Sequence, residues 1–486
     1  MKKFNLFMVA LISMFAFVFG VNAMDVATKD DFVSAMNVGG DVKLIADIEV
    51  DNILVVTKDV NLDLNGHEVK FAGNKYIQLE KGKLNILGAG KMYEAAPNYA
   101  PICIASSASE TDTSYVTLTV GKDVTLEGWA GIFVNFKDAA NPAAYGLTIN
   151  LYGKINAKND VSGSRGAGIY VNGQIKKEVN APVINVYDGA VINSTGLGIY
   201  GAGYAIYNIF GGTITGGYAG MEIRAGKLNI SGGEISTDAT PVSVTPNGNG
   251  STTKGATVAI AQHTSKLPLE VKISGGKFKG FTAFYQANPE GNEQEAVDKV
   301  KLSITGGDFT TTNDGTTKAV VYSENKEKFI TGGTYNADLE DEYLGDNFDV
   351  STDANGKTIV LDGKGLLAWA QRIIDLDLDN NASKYTETSY NALVDYAMPI
   401  FEAWYDGDTP KSQQELDDIV KELNRLTDAL ETPEEEKARL EAEEKANEDK
   451  KNNNPNTSDS IYVYAGIATL SVLAVGALVL KQRKSY

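Results

Sequence analysis

Short runs of β-branched residues alternate with glycine-rich turns through the middle of the chain, from about Val42 to Leu361. Within the runs, apolar and polar positions alternate with a period of two, which indicates strands rather than helices. A phrase built around two adjacent glycines returns five times, and its successive starts are 21, 43, 31 and 26 residues apart, at 209–214, 230–235, 273–278, 304–309 and 330–335. This spacing predicts stacked coils of roughly 21 residues with insertions.

A second phrase keeps step with the first, at 131–134, 168–171, 198–201, 220–223 and, more loosely, 241–244. Each coil therefore contributes at least two strands, and glycines at the corners tolerate positive φ. Coils stacked about 4.8 Å apart place like residues over like and bury one continuous aliphatic column. The pattern predicts a parallel β-helix of about 13 coils.

Aligning the second phrase predicts an outward column of side chains with polar neighbours two residues further on. The candidate ligand-binding residues are Phe133, Tyr170, Asn172, Tyr200, Glu222 and Arg224. Aromatic faces beside amide and charged groups suit a sugar or a protein loop. Alternatively, the aromatic residues only cover the sheet or lie beneath an insertion. Glu222 and Arg224 lie two residues apart in a strand, so both are expected to point outward as a solvated ion pair.

The opening segments 27–32, 39–44 and 62–67, and the closing stretch 333–361, resemble right-handed parallel β-helix proteins of the pectin-lyase-like class. The resemblance implies a right-handed β-helix over residues 24–361 with an N-terminal capping helix. This scaffold carries lyases, hydrolases, adhesins and inert stalks, so the resemblance specifies the fold more than the activity.

From Leu366 the apolar period becomes helical, which predicts a small three-helix bundle over residues 362–431. Segments 384–386, 389–390 and 423–430 resemble the FIVAR module of wall-anchored proteins, although Tyr390 stands where that family has tryptophan. A binding module and a plain spacer both fit. Residues 432–454 are highly charged and nearly devoid of large apolar residues, which predicts a helical stalk followed by a disordered linker.

The two ends of the chain predict export and anchoring. Residues 1–23 have the basic start, apolar run and small-residue end of a signal peptide. Residues 461–480 are uncharged, long enough to span a bilayer and followed by a basic tail. They are preceded by the pentapeptide Asn454, Pro455, Asn456, Thr457, Ser458.

This order resembles the LPXTG-like sorting signal of Gram-positive surface proteins, over residues 454–486. The resemblance implies that a sortase, as processing partner, attacks the Thr457 carbonyl and links the chain covalently to peptidoglycan. Residues 461–480 would be the transmembrane helix before sorting. A plain C-terminal membrane anchor is the alternative, and both place the domains outside the cell.

Composition narrows the classes of function. The formal net charge is −19, which disfavours nucleic acid as a partner because phosphates require clustered Lys and Arg. Cys103 is the single cysteine, and His67 and His263 are the only histidines. A disulfide framework and a Cys-rich or three-His metal site are thus excluded, and we expect neither a metal nor a cofactor.

We expect an exported, wall-anchored, adhesin-like surface protein whose β-helical rod displays a face for an unidentified glycan or protein ligand. A polysaccharide lyase or glycosidase on the same scaffold is the alternative, but Arg165 and Arg224 are the only arginines between residues 24 and 361. A third possibility is a purely structural spacer of the cell envelope. No catalytic residue is assigned.

Overall fold

The computed structural model describes residues 23–111, 115–140, 142–158, 165–315 and 319–451. The fold is mainly β, as predicted, and is dominated by long parallel sheets consistent with a β-helix. The chain divides into two compact units. The first contains the described residues up to Glu327 together with Tyr335–Asp338, and the second contains Lys328–Thr334 and the residues from Leu339 onward.

The first unit is built from three rows of parallel strands, and each strand pairs with the strand of the next coil in its own row. The first row continues into two long strands at its far end. Its members are Met24–Val26, Gly40–Leu44, Val60–Asp63, Gly82–Leu87, Val116–Val120, Leu147–Leu151, Val183–Val186, Ala205–Ile209, Gly226–Ile230, Leu269–Gly280 and Val300–Thr311.

The second row follows the glycine-rich turn of each coil. Its last paired segments are the second halves of the two long strands, where Phe278 pairs with Phe309. Its separate strands are Ile48–Val50, Glu68–Phe71, Gly90–Glu94, Val124–Gly128, Lys154–Ala157, Val191–Ser194, Thr213–Gly216 and Glu234–Ser236.

The third row forms a separate ten-stranded sheet and carries the second sequence phrase. Its strands are Leu54–Val56, Ile77–Leu79, Ile102–Ile104, Ala130–Val134, Ala167–Val171, Leu197–Gly201, Ala219–Ile223, Ala256–Ala261, Thr282–Ala287 and Val321–Ser323. Each coil thus has three strands where the sequence pattern predicted at least two.

Alternation along each strand buries one side and leaves the other outside. In Leu147–Leu151 the three aliphatic residues are buried, while Thr148 and Asn150 are partly exposed. Like residues stack in register, so the interior is a column of Ile, Leu and Val side chains from successive coils. Near its end the interior becomes aromatic, and the Phe278, Phe309 and Tyr335 rings stack at centroid distances of 4.5 and 5.0 Å.

Helix α1 (Lys29–Val38) packs beside the first strands and buries Phe32, Ala35 and Met36. Thr28 caps it by accepting a hydrogen bond from the Asp31 amide. This is the N-terminal helix that the sequence predicted, and it contacts the Leu54–Val56 strand of the third row. The short helix α2 (Gln294–Val297) lies between the two long strands in sequence.

One insertion of the first unit departs from the coil pattern. Residues 237–252, which we call the insertion loop, connect Glu234–Ser236 of the second row to the third row. Ser243–Val244 of this loop pairs antiparallel with Thr253–Lys254, outside the three rows.

The second unit begins with short segments and an antiparallel hairpin. Thr334–Tyr335 is a two-residue strand at the boundary between the units, and Asp341–Tyr343 is a 3-10 turn. The hairpin strands Phe348–Thr352 and Thr358–Asp362 follow. Leu361 from this hairpin belongs to the apolar cluster of the helices, whereas the resemblance to β-helix proteins implies a β-helix up to this residue.

The helices of the second unit are α3 (Lys364–Asp375), α4 (Leu378–Asn381), α5 (Glu387–Tyr405) and α6 (Gln413–Asp428), with a 3-10 turn at Ala382–Lys384. Their shared core includes Trp369, Leu393, Ala397, Phe401 and Leu423. Ser412 caps α6 by accepting a hydrogen bond from the Glu415 amide.

Helix α7 (Pro433–Lys451) begins at a reciprocal capping box, in which the Glu435 carboxylate accepts from the Thr432 amide and Thr432 Oγ1 accepts from the Glu435 amide. In the part of the chain that the structure describes, no helix has both the length and the apolar composition needed to cross a bilayer. The predicted signal peptide up to residue 22, the disordered linker, the Asn454 to Ser458 motif and the 461–480 span lie outside the described residues.

Candidate functional site

The third row brings the predicted column together in the register that the sequence phrases indicated. Phe133 pairs with Tyr170, Tyr170 with Tyr200, and Tyr200 with Glu222. On the N-terminal side, the same column begins with Val55, Gln78 and Cys103 and leads to Phe133. The alignment works because every strand of the row repeats the same inward and outward alternation.

The aromatic residues of the column contact one another in edge and tilted geometries. The ring centroids of Phe133 and Tyr170 lie 5.2 Å apart, and those of Tyr170 and Tyr200 lie 4.9 Å apart. Trp129 adds a fourth aromatic residue, with its ring centroid 5.2 Å from that of Tyr170. These edge and tilted arrangements suit the quadrupoles of the rings.

Exposure differs along the column. Phe133 and Tyr170 are partly exposed, whereas Tyr200 is 2% exposed. Burial raises the pKa of both tyrosines, so their phenols are neutral around pH 7. Of these three rings, those of Phe133 and Tyr170 are therefore the accessible ones.

An amide pair accompanies these rings, as predicted. Asn172 Nδ2 donates to Asn135 Oδ1 over 2.9 Å, and Asn172 Oδ1 accepts from the Gln174 amide. Both asparagines are partly exposed. Rings and amides of neighbouring coils thus form one mixed surface, which we call the aromatic column surface (Trp129, Phe133, Asn135, Tyr170, Asn172).

The prediction that Glu222 and Arg224 form a solvated ion pair is wrong. Both side chains are completely buried beneath the insertion loop. The Glu222 carboxylate accepts from the Thr252 amide, from Thr252 Oγ1 and from the Thr253 amide. Burial raises the Glu222 pKa, and the Arg224 charge together with these donors counteracts the rise.

Arg224 fastens the insertion loop to the third row. Its Nη1 donates to the carbonyl oxygens of Asn247 and Gly250, and its Nε donates to the Ala261 carbonyl over 3.2 Å. Its Nη2 donates to the Glu290 carboxylate, which also accepts from the Asn247 amide. The guanidinium and both of its carboxylate neighbours are thus occupied by structural contacts.

His263 contributes a further attachment for the same loop. It is 7% exposed, its Nδ1 accepts from the Ser265 amide, and it hydrogen-bonds the backbone of Gly248. Burial lowers the His263 pKa, and the nearby Arg224 charge lowers it further. His263 therefore acts as a structural contact of the insertion loop.

Sequence reasoning missed Trp129 and Arg165. Trp129 lies four residues before Phe133, and Tyr218 lies four residues before Glu222. Aligning the repeats of the second phrase and comparing the residues just before them would have found both aromatic residues. The Arg165 guanidinium stacks 3.7 Å from the Tyr218 ring centroid and donates to Ser251 of the insertion loop. The period-two pattern predicts only which side of a strand a residue faces, so it does not predict that Arg165 contacts Tyr218 and Ser251.

Cys103 is a buried thiol in the same column. It is 8% exposed, and burial raises its pKa to about 12. The thiol is therefore protonated and unreactive while the fold is intact.

Within the described ranges, no group of three or more His, Cys, Asp or Glu side chains is arranged to hold a metal ion. Comparisons with family models, with curated proteins and with solved structures find no match to this chain. The pectin-lyase-like, FIVAR-like and sorting-signal resemblances remain predictions from the sequence.

Proposed function

We propose that this protein is a wall-anchored, adhesin-like surface protein, in which a right-handed parallel β-helix displays a binding surface for a glycan or protein ligand. The observation that carries the proposal is the aromatic column surface. Partly exposed Phe133 and Tyr170 rings lie beside the Asn135 and Asn172 amides on a regular stack of strands. Rigid rings with adjoining amides offer contact area at a low cost in conformational entropy.

The enzymatic alternative receives less support from the geometry. Glu222 and Arg224 were the charged pair that an acid or base mechanism could have used in this column. Both are buried, and their polar atoms contact the insertion loop. Their arrangement favours a structural role in attaching that loop.

A binding screen tests the proposal. The full-length protein would be applied to a glycan array and a panel of surface-protein ligands, beside the double variant Phe133→Ala plus Tyr170→Ala. Loss of binding with an unchanged melting temperature would support the column. Tyr322→Ala is the matched control, because Tyr322 is a 37% exposed aromatic residue of the same row, several coils away.

Unchanged binding by the double variant would remove the aromatic column surface as the ligand site. Absence of any ligand for the unmodified protein would instead favour the spacer role.

Anchoring is tested separately. Thr457→Ala should leave the protein in the membrane fraction rather than covalently bound to peptidoglycan, because the sortase would lose its scissile residue. Asn452→Ala, two residues before the pentapeptide, should still reach the wall. Equal wall attachment of Thr457→Ala and the unmodified protein would exclude sorting at Thr457.

A further inference from the structure

A second aromatic stack lies on a different face, on the first row of strands. Tyr152, Tyr187 and Phe210 each follow directly after a strand of that row. The Tyr152 and Tyr187 rings are 4.4 Å apart and almost parallel, and the Tyr187 and Phe210 rings are 5.3 Å apart. Phe210 is 50% exposed. This stack shares no residue with the aromatic column surface.

The stack ends at Phe210 because the residues in the following coils are small. The register of the row places Ser231 next to Phe210 and Ser274 next to Ser231. A β-bulge then pairs Ser274 with Gly306, and Thr305 directly precedes that glycine. Two short hydroxyl side chains, with Thr305 beside the bulge, therefore take the place of further rings. The side of the Phe210 ring that faces Ser231 borders this row of hydroxyls.

A ladder of asparagines runs beside the rings. Asn185 donates to Asn150, Asn208 to Asn185 and Asn229 to Asn208, each over 2.9 or 3.0 Å. All Nδ2 groups point toward the preceding coil, so the chain of amides is polarised in one direction. Among the described residues, no donor bonds to Oδ1 of Asn229, the last amide of the ladder.

The amide ladder ends at an open surface cavity of about 300 Å³, and the aromatic column ends one coil before it, because Ser231 follows Phe210 in the row. Its polar lining consists of Asn229, Ser231, Lys272, Ser274, Ser303 and Thr305. The Ser274 and Thr305 hydroxyls donate to main-chain carbonyls only over 3.4 Å, which leaves their lone pairs available as acceptors. The cavity thus offers an unused amide oxygen and several hydroxyls, and the register places the Phe210 ring next to its lining residue Ser231. We call this site the Phe210 cavity.

The charges around the Phe210 cavity are already paired. Lys272 and Lys227 both contact the Glu270 carboxylate. Across the glycine-rich turn, Lys277 contacts Glu234 over 2.7 Å. Since the chain as a whole is strongly acidic, an anionic polymer would meet unfavourable electrostatics.

We propose that the Phe210 cavity binds a pyranose unit of a neutral oligosaccharide. The apolar face of the sugar ring packs on Phe210, and its hydroxyls bond Asn229 Oδ1, Ser231 and Ser274. Neutral sugars fit because they present both an apolar face and many donors, and because they need no counter-charge. The proposal concerns a site beyond the aromatic column surface and does not depend on it.

A groove of about 740 Å³ gives the chain of sugars a path beyond the Phe210 cavity. The groove runs along the glycine-rich turns, where Gly212, Gly233 and Gly276 lack side chains, and Thr213 and Glu234 supply polar groups. Gly232, the residue after Ser231, also lines it. An oligosaccharide bound at Phe210 therefore has room to extend across the turn.

Binding of defined probes tests the proposal. The full-length protein would be titrated with maltohexaose, cellohexaose, mannohexaose and β-galactan oligosaccharides, with oligogalacturonate as the anionic comparison. At least one neutral probe should bind, and Phe210→Ala should weaken its binding at least about fivefold. Ser274→Trp should abolish binding by filling the cavity. It should not disturb the fold, because Ser274 is exposed on the outer side of its strand. The matched control, Tyr322→Ala, should bind like the unmodified protein.

The proposal is overturned if none of the neutral probes binds, or if binding survives both Phe210→Ala and Ser274→Trp. Preference for oligogalacturonate would also contradict it, because the charge argument would then be wrong. The two sites are distinguished by the variant that loses binding. Loss only in Phe133→Ala plus Tyr170→Ala would leave the aromatic column surface standing and exclude the Phe210 cavity.

Discussion

Glycines of the two repeated phrases serve different physical purposes. In the glycine-rich turns, the second glycine of the pair has positive φ, for example Gly212 at 81°. Gly198, in contrast, lies inside a third-row strand and does not need positive φ. A Cβ there would lie 2.4 Å from Cγ2 of Ile214 and 2.3 Å from the Gly220 carbonyl oxygen. The strand glycines thus permit close packing of the third row against the second.

This difference predicts unequal costs of substitution. Gly198→Ala should destabilise the first unit by roughly 1–3 kcal/mol, because a well-packed interior must shift. Gly189→Ala has no atom within 4 Å of the new Cβ and only its φ of 82° to accommodate, so it should cost about 1 kcal/mol. Urea unfolding of both variants checks the order. A larger loss for Gly189→Ala would contradict this packing argument.

His263 predicts a dependence of stability on pH. Its pKa is lowered in the folded state by burial and by Arg224, with Lys176 adding to the lowering and Glu290 opposing it. The unfolded chain therefore binds a proton first, so stability is full above about pH 6.5 and falls as pH drops through the folded pKa.

The measurement is a comparison of melting temperatures between pH 7.5 and 5. His263→Gln should lose less stability over this range than the unmodified protein, because the glutamine amide does not take up a proton. Identical pH profiles for the two proteins would show that His263 does not contribute.

At the scale of elements, the period-two pattern predicts the stacked strands of the β-helix, but it does not predict which outward side chains a loop covers. The alternation around Phe133, Tyr170 and Tyr200 predicts a strand and an outward direction, and the structure has both. Solvent exposure depends instead on residues distant in sequence. The loop that buries Glu222 and Arg224 begins at residue 237, and Glu290 completes its attachment from 66 residues beyond Arg224.

The same limitation applied to the Phe210 cavity and to the closing hairpin. The cavity arises where a ring is followed, one coil later, by Ser231, which requires the exact register. Leu361 continues an alternating strand pattern, yet it packs with the helices. The alternation of apolar and polar residues along the chain predicts neither the cavity nor the packing partner of Leu361.

The contacts of Arg224 predict that its removal loosens the insertion loop. Arg224→Met should destabilise the first unit by roughly 3–5 kcal/mol, because the buried Glu222 and Glu290 carboxylates lose their charged partner. The loop should also become sensitive to protease at residues 237–252. Limited proteolysis and thermal unfolding measure the two effects.

The control is Lys277→Met, which removes an exposed partner of Glu234. It should change stability little, since water already solvates that pair. Equal protease resistance of Arg224→Met and the unmodified protein would mean that the loop is held without the guanidinium.

At the scale of the whole molecule, each of the two units is stabilised by its own apolar core. The first unit is stabilised by a column of repeated aliphatic side chains, and the second by a separate cluster around Trp369 and Leu393. Trp369 Nε1 also donates to Thr427 Oγ1 over 2.9 Å, which satisfies the one polar atom of the indole. Each unit therefore has a core of its own.

Leu393→Ala should cost the second unit about 2–5 kcal/mol, because Leu393 is fully buried in its core. Calorimetry of the full-length protein should show one transition lowered and the other unchanged. Leu440→Ala is the matched control, since Leu440 is 51% exposed on α7 and its loss should leave both transitions in place. Equal lowering of both transitions by Leu393→Ala would indicate a single cooperative fold.

The buried thiol of Cys103 also provides an internal reporter for early separation of the coils. It lies in the Ile102–Ile104 strand, between Gln78 of one neighbouring coil and Phe133 of the other. Since the chain has no other cysteine, every alkylation event reports opening at this one place. The ratio of the labelling rate in native buffer to that of the unfolded chain would therefore give the free energy of parting those two coils, without any engineered probe.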